Sequence, residues 1–524
     1  MVIKNLTTKS TKDFTEKKSI MKLGYLITII GGLSLLASCS SKTNNQQPTT
    51  NNQPPNILFI LSDDHTTQAI SCYEGIFADV AKTINIDKLA EEGMMFTNCY
   101  GNNSICSPSR ASILTGKYSH KNGVYLLDQV FDGSQATSNN VLQKAGYQTA
   151  VFGKWHLKAT PEGFDDYKVL ERQGRYLNPQ FKEKGVDTLI THEGWSSDVI
   201  TGMTTDFIKN RDKNKPFFVM CQYKATHDPW DARLPYKGSL KDVEIPMPDN
   251  FYDTYENRGQ ASKRTTLKLE YMNQGTFPHT RLENATEHEQ REHIYQQYIR
   301  AFLECGMVLD ENIGDIMSFL KEQGLDENTI VVYTADQGHF LGEHGFFSKR
   351  FMYEESMRMP LIIRYPGKVK PGSINNDLVN NIDFAPTLID LAGVEIPEEM
   401  QGESLKPLLE GKTPENWRDA IYYHYWQHLL HRNVTGHYGI RTKTHKLIYF
   451  HGQPLGMTDY QAVEPDWELF DLENDPAEMN NIYYQKENAE LVKELKQKML
   501  DLKIYYDDTD DKYPELVEQN KKLY

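Results

Sequence analysis

Basic residues are in the minority, with 57 Lys and Arg against 72 Asp and Glu over 524 residues and a formal net charge of −15. Nucleic acid requires a basic surface, so this balance argues against such a partner. An anionic substrate stays compatible with it, provided positive groups converge in one pocket. Cysteine is scarce: Cys39, Cys72, Cys99, Cys106, Cys221 and Cys305 include no CxxC pair, so neither a zinc site nor a redox dithiol is indicated. The apolar run at 23–37 has fifteen residues, short of the ~20 that a membrane span needs. What is present is an ordinary globular share of aliphatic and aromatic residues, which excludes a disordered chain. The length exceeds what one small core can use, so a large domain with a smaller one is expected.

The apolar run follows Met21-Lys22 and fits the core of a secretion signal. It ends in Leu36-Ala37-Ser38-Cys39, which resembles a bacterial lipobox and implies lipidation of Cys39, with translation beginning at Met21. A plain secretory signal is the alternative. Either way the protein is expected to be exported, as a periplasmic or outer-membrane-anchored lipoprotein of a Gram-negative bacterium that meets the membrane only through its N-terminal anchor. Residues 1–39 are then the signal region. Residues 40–55, rich in Ser, Thr, Asn, Gln and Pro, read as a flexible tether.

The folded part opens with the continuous apolar run 56–62, of the kind found in a strand covered on both faces. Further strands are expected at 94–100, 149–152, 216–223, 329–335 and 361–365. Helices are expected at 86–92, 292–323 and 383–391, and the polar stretch 235–290 reads as an insertion lying over the body. Strands alternating with helices, with polar residues at the strand ends, indicate an α/β fold with a mostly parallel sheet. Ligands of such sheets bind at the carboxyl ends of the strands. Beyond 412 the segments are short and aromatic (420–424, 437–441, 445–449, 467–472), suggesting a small antiparallel sheet followed by a helix at 491–504. The expected limits are 56–412 for the catalytic domain, 413–506 for the C-terminal subdomain, and 507–524 for an acidic, solvated tail.

The most informative string is Cys106-Ser107-Pro108-Ser109-Arg110, continued by Ala111-Ser112-Ile113-Leu114-Thr115-Gly116-Lys117. Pro108 suits a first helical turn and Gly116 can end the helix. Cys106 thus sits at a helix N-terminus, where free N–H groups favour negative charge, and Arg110 reaches back from one turn on. The string resembles the signature of the type I sulfatases, C-x-P-x-R followed by L-T-G-K. That resemblance implies an alkaline-phosphatase-like large domain and oxidation of Cys106 by a maturase to formylglycine (3-oxoalanine), whose hydrate is the nucleophile. Asp63, Asp64, Asp336 and Gln337 are hard oxygen donors that, with an oxygen from modified Cys106, suit calcium in the first place and magnesium in the second. Gln337 departs from the Asn or His of many relatives. Gly153-Lys154-Trp155-His156 and Asp336-Gln337-Gly338 resemble two further elements of the family. Lys349, in Gly342-Glu343-His344-Gly345-Phe346-Phe347-Ser348-Lys349, resembles its sulfate-binding lysine.

The roles implied are catalytic for Cys106, Arg110, Lys154, His156, His227, Asp336 and Lys349. Asp336 accepts a proton, Lys154 and Lys349 neutralise the sulfate, His227 protonates the leaving alcohol, and His156 acts in sulfate release. The strings 173–179, 349–356 and 437–442 look like the N-acetylglucosamine-6-sulfatase-like branch, with iduronate-2-sulfatase-like enzymes as the alternative. The implied substrate is a sulfated glycan of heparan, mucin or keratan type, attacked at its ends. His344, His437 and Arg441 are the expected sugar-reading residues. A phosphonate monoester or phosphodiester hydrolase, and a non-catalytic sulfoglycan-binding lipoprotein, are the rival readings.

Overall fold

The computed structural model describes residues 53–521. The signal region and Cys39 lie outside the described residues. Strand Asn56–Ser62 is central in a ten-stranded sheet, between Thr329–Ala335 and Phe217–Gln222 and parallel to both. Gln148–Gly153 and Asp166–Leu170 extend the parallel set on one side, while Leu361–Arg364 turns antiparallel on the other. All seven residues of Asn56–Ser62 are buried because each face has its own cover. Leu58 and Ile60 share a cluster with Phe302, Leu309 and Ile313 of helix Glu287–Glu322. Ile57, Phe59 and Leu61 lie with Ala111, Ile113 and Leu388 on the opposite face. A strand covered twice reads as an unbroken apolar run, not as an alternating one.

The long helix starts five residues before the expected 292. Thr286 and Glu289 form a reciprocal capping box at its N-terminus, a signal hidden inside a polar stretch. The expected strand 94–100 is two short ones, Met94–Phe96 and Cys99–Tyr100, in different sheets. The insertion 235–290 is largely irregular up to the start of the long helix, with a short α-helix, Gln260–Arg264, and a 3-10 turn, Leu269–Tyr271. It is anchored by buried Ile245, Phe251, Leu267 and Met272, and by a two-pronged Arg291–Glu270 pair.

The C-terminal sheet has four antiparallel strands in sequence order: Ala420–Tyr425, His437–Thr442, His445–Phe450 and Asp466–Asp471. One face, with Tyr438, Ile440 and Trp467, packs on Leu495 and Met499 of helix Ala489–Tyr505. The other, with Tyr423, Tyr425, Ile448 and Phe450, packs on Phe346, Phe351 and Tyr353 of the catalytic domain. Contrary to expectation, the acidic tail is not solvated throughout. Asp508 is fully buried, accepting from His424 Nδ1 at 2.7 Å and Tyr422 Oη at 2.6 Å, and Asp510 pairs with Lys503. Helix Pro514–Asn520 follows, with Leu516 buried. Carboxylates that look free in a sequence are held here by cations and hydroxyls from elsewhere in the chain.

Candidate active site

Strand register places the site. Ser62 stands opposite Ala335, and both Leu61 and Gly153 stand opposite Gln222. The residues that follow these strands therefore emerge level with one another. Backbone bonds continue the ladder past the strand ends, from Asp336 N to Ser62 O, Thr226 N to Asp63 O, and Lys154 N to Gln222 O. Gly153 is required at its place. Its φ is +105°, and a Cβ there would lie 1.8 Å from Gln222 O.

Helix Cys106–Thr115 lies wholly buried over these strand ends. Gly116 terminates it with φ +63°, where a Cβ would meet Ile382 O at 3.2 Å. Ser107 Oγ donates to His156 O at 2.7 Å, and Ser109 Oγ donates to Asp336 O, so the helix is tied to two strand-end loops. Cys106 is its first residue and is 2% exposed. Its Sγ stands where the oxygens of an oxidised side chain would be, 3.3 Å from Lys349 Nζ, 3.7 Å from Asp63 Oδ1 and 3.8 Å from Gln337 Nε2. Burial raises the thiol's pKa, but Lys349 and Lys154 outweigh it and hold the group well below its ordinary value.

Asp63, Asp64 and Asp336 are buried, with an oxygen of each within 4.8 Å of the others. Lys154 donates to Asp63 and Lys349 to Asp64. Arg110 is the brace: Nε donates to Asp336 Oδ2 at 3.0 Å, Nη1 to Gln222 Oε1 at 3.0 Å, and Nη2 lies 3.6 Å from Asp63 Oδ1. Burial raises the pKa of Asp63 and Asp64, yet their cationic neighbours, foremost Lys154 and Lys349 respectively, hold both below the usual range. Burial and repulsion from Asp63 push Asp336 the other way. Gln337 Nε2 donates to Asp64 and, at 2.7 Å, to Asp336 Oδ1, and its Oε1 is buried without a partner; turning the amide over would present that oxygen to the carboxylates. Three carboxylates with an orphaned amide oxygen suit a hard divalent cation. Asp63, Asp64, Asp336 and Gln337 are the residues that would hold it.

The two histidines expected to be catalytic differ in environment. His227 Nδ1 donates to Asp228, 3.0 Å from both its backbone O and its Oδ1, while Nε2 lies 3.9 Å from Asp64 Oδ2. Burial and Lys154 oppose its charge, but Asp228 and Asp63 prevail and raise its pKa to about 10. His156 has its pKa lowered, chiefly by burial, and its Nε2 lies 3.2 Å from Gln173 Nε2. All seven expected catalytic residues thus converge. Cys106, Asp64, His227 and Lys349 line a cavity of about 130 Å³ with Ile105, Leu127, Gln173, Asp228, Ser348, Arg350 and Arg432.

The expected sugar-reading residues do not reach this cavity. His344 is fully buried, with Nδ1 on Asp253 Oδ2 at 2.8 Å. His437 is fully buried too, among Phe351, Tyr423 and Phe450, with Nδ1 donating to Thr435 O at 2.7 Å. Arg441 pairs with Glu354 and lies over the Tyr100 ring, beside a separate cavity. Strand alternation explains the outcome: His437 and Arg441 share the face that packs on the catalytic domain, so they join the two parts.

Sequence reasoning assigned no role to Asp228, Gln173, His339, Arg350 or Arg432. His339 Nδ1 lies 3.5 Å from Asp64 Oδ2. The His-Asp step at 227–228 is a signal that could have been read. Arg432 carries none, since the fold alone brings its loop from the C-terminal sheet to the cavity.

A family model described as Sulfatase matches residues 55–394, and one described as N-sulphoglucosamine sulphohydrolase, C-terminal, matches residues 342–505. The chain is 42% identical over 508 residues to an N-acetylglucosamine-6-O-sulfatase of Bacteroides thetaiotaomicron, covering 88% of each chain. Human N-acetylglucosamine-6-sulfatase is 27% identical over 405 residues, covering 71% of this chain and 67% of its own length. A solved structure of a protein in complex with its substrate D-glucosamine-2-N,6-O-disulfate superposes with a TM-score of 0.81 at 41% identity, covering 88% of this chain and all of that one.

Proposed function

The chain belongs to the sulfatase family, and from that premise we propose that it removes the 6-O-sulfate of N-acetylglucosamine or another N-substituted glucosamine at glycan ends. The observation that carries the reading is the setting of Cys106: a buried helix N-terminus with Lys349 Nζ at 3.3 Å and three carboxylates alongside. The sugar specificity is supported by the relative at 42% identity, which is named for this activity.

A formylglycine made from Cys106 and a bound calcium ion would supply, respectively, the nucleophilic oxygen and positive charge against the sulfate. The chain's own residues do the rest. Lys154 and Lys349 are ammonium groups buried at the point where sulfate oxygens gather charge, and such preorganised donors stabilise a transition state strongly. Asp336, braced by Arg110 within the carboxylate cluster beside Cys106, is placed to take a proton from the side chain at 106. His227 keeps its proton at neutral pH and can pass it to the departing sugar oxygen, which leaves as the hydroxyl, whereas burial keeps His156 neutral and able to accept one. Neighbouring groups with pKa values driven apart make an acid and a base. The apolar run at 23–37 and Cys39 support export as a lipid-anchored protein.

The test is sulfate release from a panel of singly sulfated monosaccharides and disaccharides, with mass spectrometry of the peptide containing residue 106. N-acetylglucosamine-6-sulfate should lead the monosaccharides, the wild-type peptide should be lighter than its thiol form, and Cys106→Ala should retain less than about a thousandth of the activity. An alanine variant with a tenth of wild-type activity, or a thiol at position 106 in active enzyme, would sink the reading.

A further inference from the structure

Two guanidinium groups stand at the cavity beside the catalytic set, and neither meets a carboxylate among the described residues. Arg350 directly follows Lys349; its Nη1 donates to Ser348 Oγ at 2.7 Å, and its Nε is buried without a partner. Arg432 lies in the loop between strands Ala420–Tyr425 and His437–Thr442. Its Nη2 donates to Thr276 Oγ1 at 2.7 Å, and its Cζ lies over the Phe347 ring, 4.8 Å from the centre. Both line the cavity that holds Cys106. The nearby acids are engaged elsewhere, Asp228 with His227 and Asp128 with Lys158. Burial, and then repulsion from Arg350, lower the pKa of Arg432.

Two half-buried like charges without a counterion are costly unless something anionic joins them. The 6-sulfate is not that group, because Lys349 already lines the Cys106 end of the cavity, with Lys154 fully buried on Asp63 beside it. A guanidinium held over an aromatic ring is preorganised to meet a planar or tetrahedral anion with paired N–H donors.

We propose that Arg350 and Arg432 form a second anion subsite, which reads a further negative group of the substrate next to the scissile 6-sulfate. The shared chemistry is an oxyanion on the sugar's neighbouring substituent, either an N-sulfate on the same glucosamine or the carboxylate of an adjoining uronic acid. The substrate class is then a multiply charged, glucosamine-containing glycan, in preference to a neutral chain carrying isolated 6-sulfates. This inference rests on the 6-O-sulfatase reading and deepens it.

The experiment compares kcat/KM on N-acetylglucosamine-6-sulfate, glucosamine-2-N,6-O-disulfate, and a disaccharide of uronic acid with 6-sulfated N-acetylglucosamine. The wild type should favour one of the two charged substrates by about 10-fold or more, and which one identifies the anion. Arg432→Gln and Arg350→Gln should each lower that preference by about 10-fold, and Arg432→Lys should restore part of it. Equal losses on all three substrates, or a wild type that favours neither charged one, would overturn the subsite while leaving the 6-O-sulfatase reading intact. Release of 6-sulfate from none of the three would overturn both.

Discussion

A buried histidine is either an unused site group or a packing group, and acid stability separates the two. His437 has no exposure, and burial lowers its pKa from 6.5 to about 3. Its one hydrogen bond, to Thr435 O, leaves the ring neutral and stacked among aromatics. The unfolded chain takes up a proton on this residue as pH falls below 6.5, whereas the folded chain does so only near 3. Its contribution is therefore complete above pH 6.5 and is lost as pH falls through that window. His437→Phe should flatten the dependence of unfolding free energy on pH between about 6 and 4 by up to one proton, ~1.4 kcal/mol per pH unit. The preference among sulfated sugars should stay unchanged. Identical slopes for the two proteins in chemical denaturation, or an altered sugar preference, would return His437 to the candidate sugar-binding set.

At the scale of elements, the site depends on strands ending level, and Gly153 tests this most directly. The carbonyl of Gln222 occupies the space a side chain would need, and the +105° φ is unfavourable for any L-residue. Gly153→Ala should cost about 2–4 kcal/mol in denaturant unfolding. It should also lower kcat more than it raises KM, because Lys154 is the next residue and is displaced with the strand end. A wild-type denaturation midpoint would show that the two strands can part without consequence. The same comparison explains which sequence expectations needed correction. The unbroken apolar runs at 56–62 and 329–335 are legible because strands covered on both faces leave that pattern. The start of the long helix was missed because its capping box lies in polar sequence, and the sugar-reading role of 437–441 failed because alternation turned its charged side chains into the domain contact.

For the whole molecule, the decisive quantity is the charge gathered at the strand ends. Asp336 joins the adjacent pair Asp63 and Asp64 from far along the chain, and the three meet with Lys154, Lys349 and Arg110. A set of three carboxylates predicts inhibition by a chelator and a lower melting temperature, although Cys106 and His227 also lie within ligand reach of Asp63. Calcium or magnesium should restore both, since a ligand held only by the folded state stabilises it by mass action, about 2.7 kcal/mol at a hundredfold excess over its Kd. Rescue by zinc alone, or a melting temperature indifferent to chelator, would show that these carboxylates serve the lysines and not a cation.

Local patterning was enough for the class of fold and for the helix that opens at Cys106, while resemblance to the family's strings supplied the seven expected catalytic residues. Six of them lie near a helix start or after a strand of the parallel sheet, legible without knowing which strands are neighbours, whereas Lys349 follows the short antiparallel strand Phe347–Ser348. Three things were decided only by the tertiary structure. These are the burial of Asp508 in a tail that looks solvated, the diversion of His344, His437 and Arg441 into packing, and the arrival of Arg432 beside Arg350. Each depends on a partner from a distant segment, and a side chain's role is set by the charge and space that its partner offers. No pattern within its own stretch of sequence carries that information.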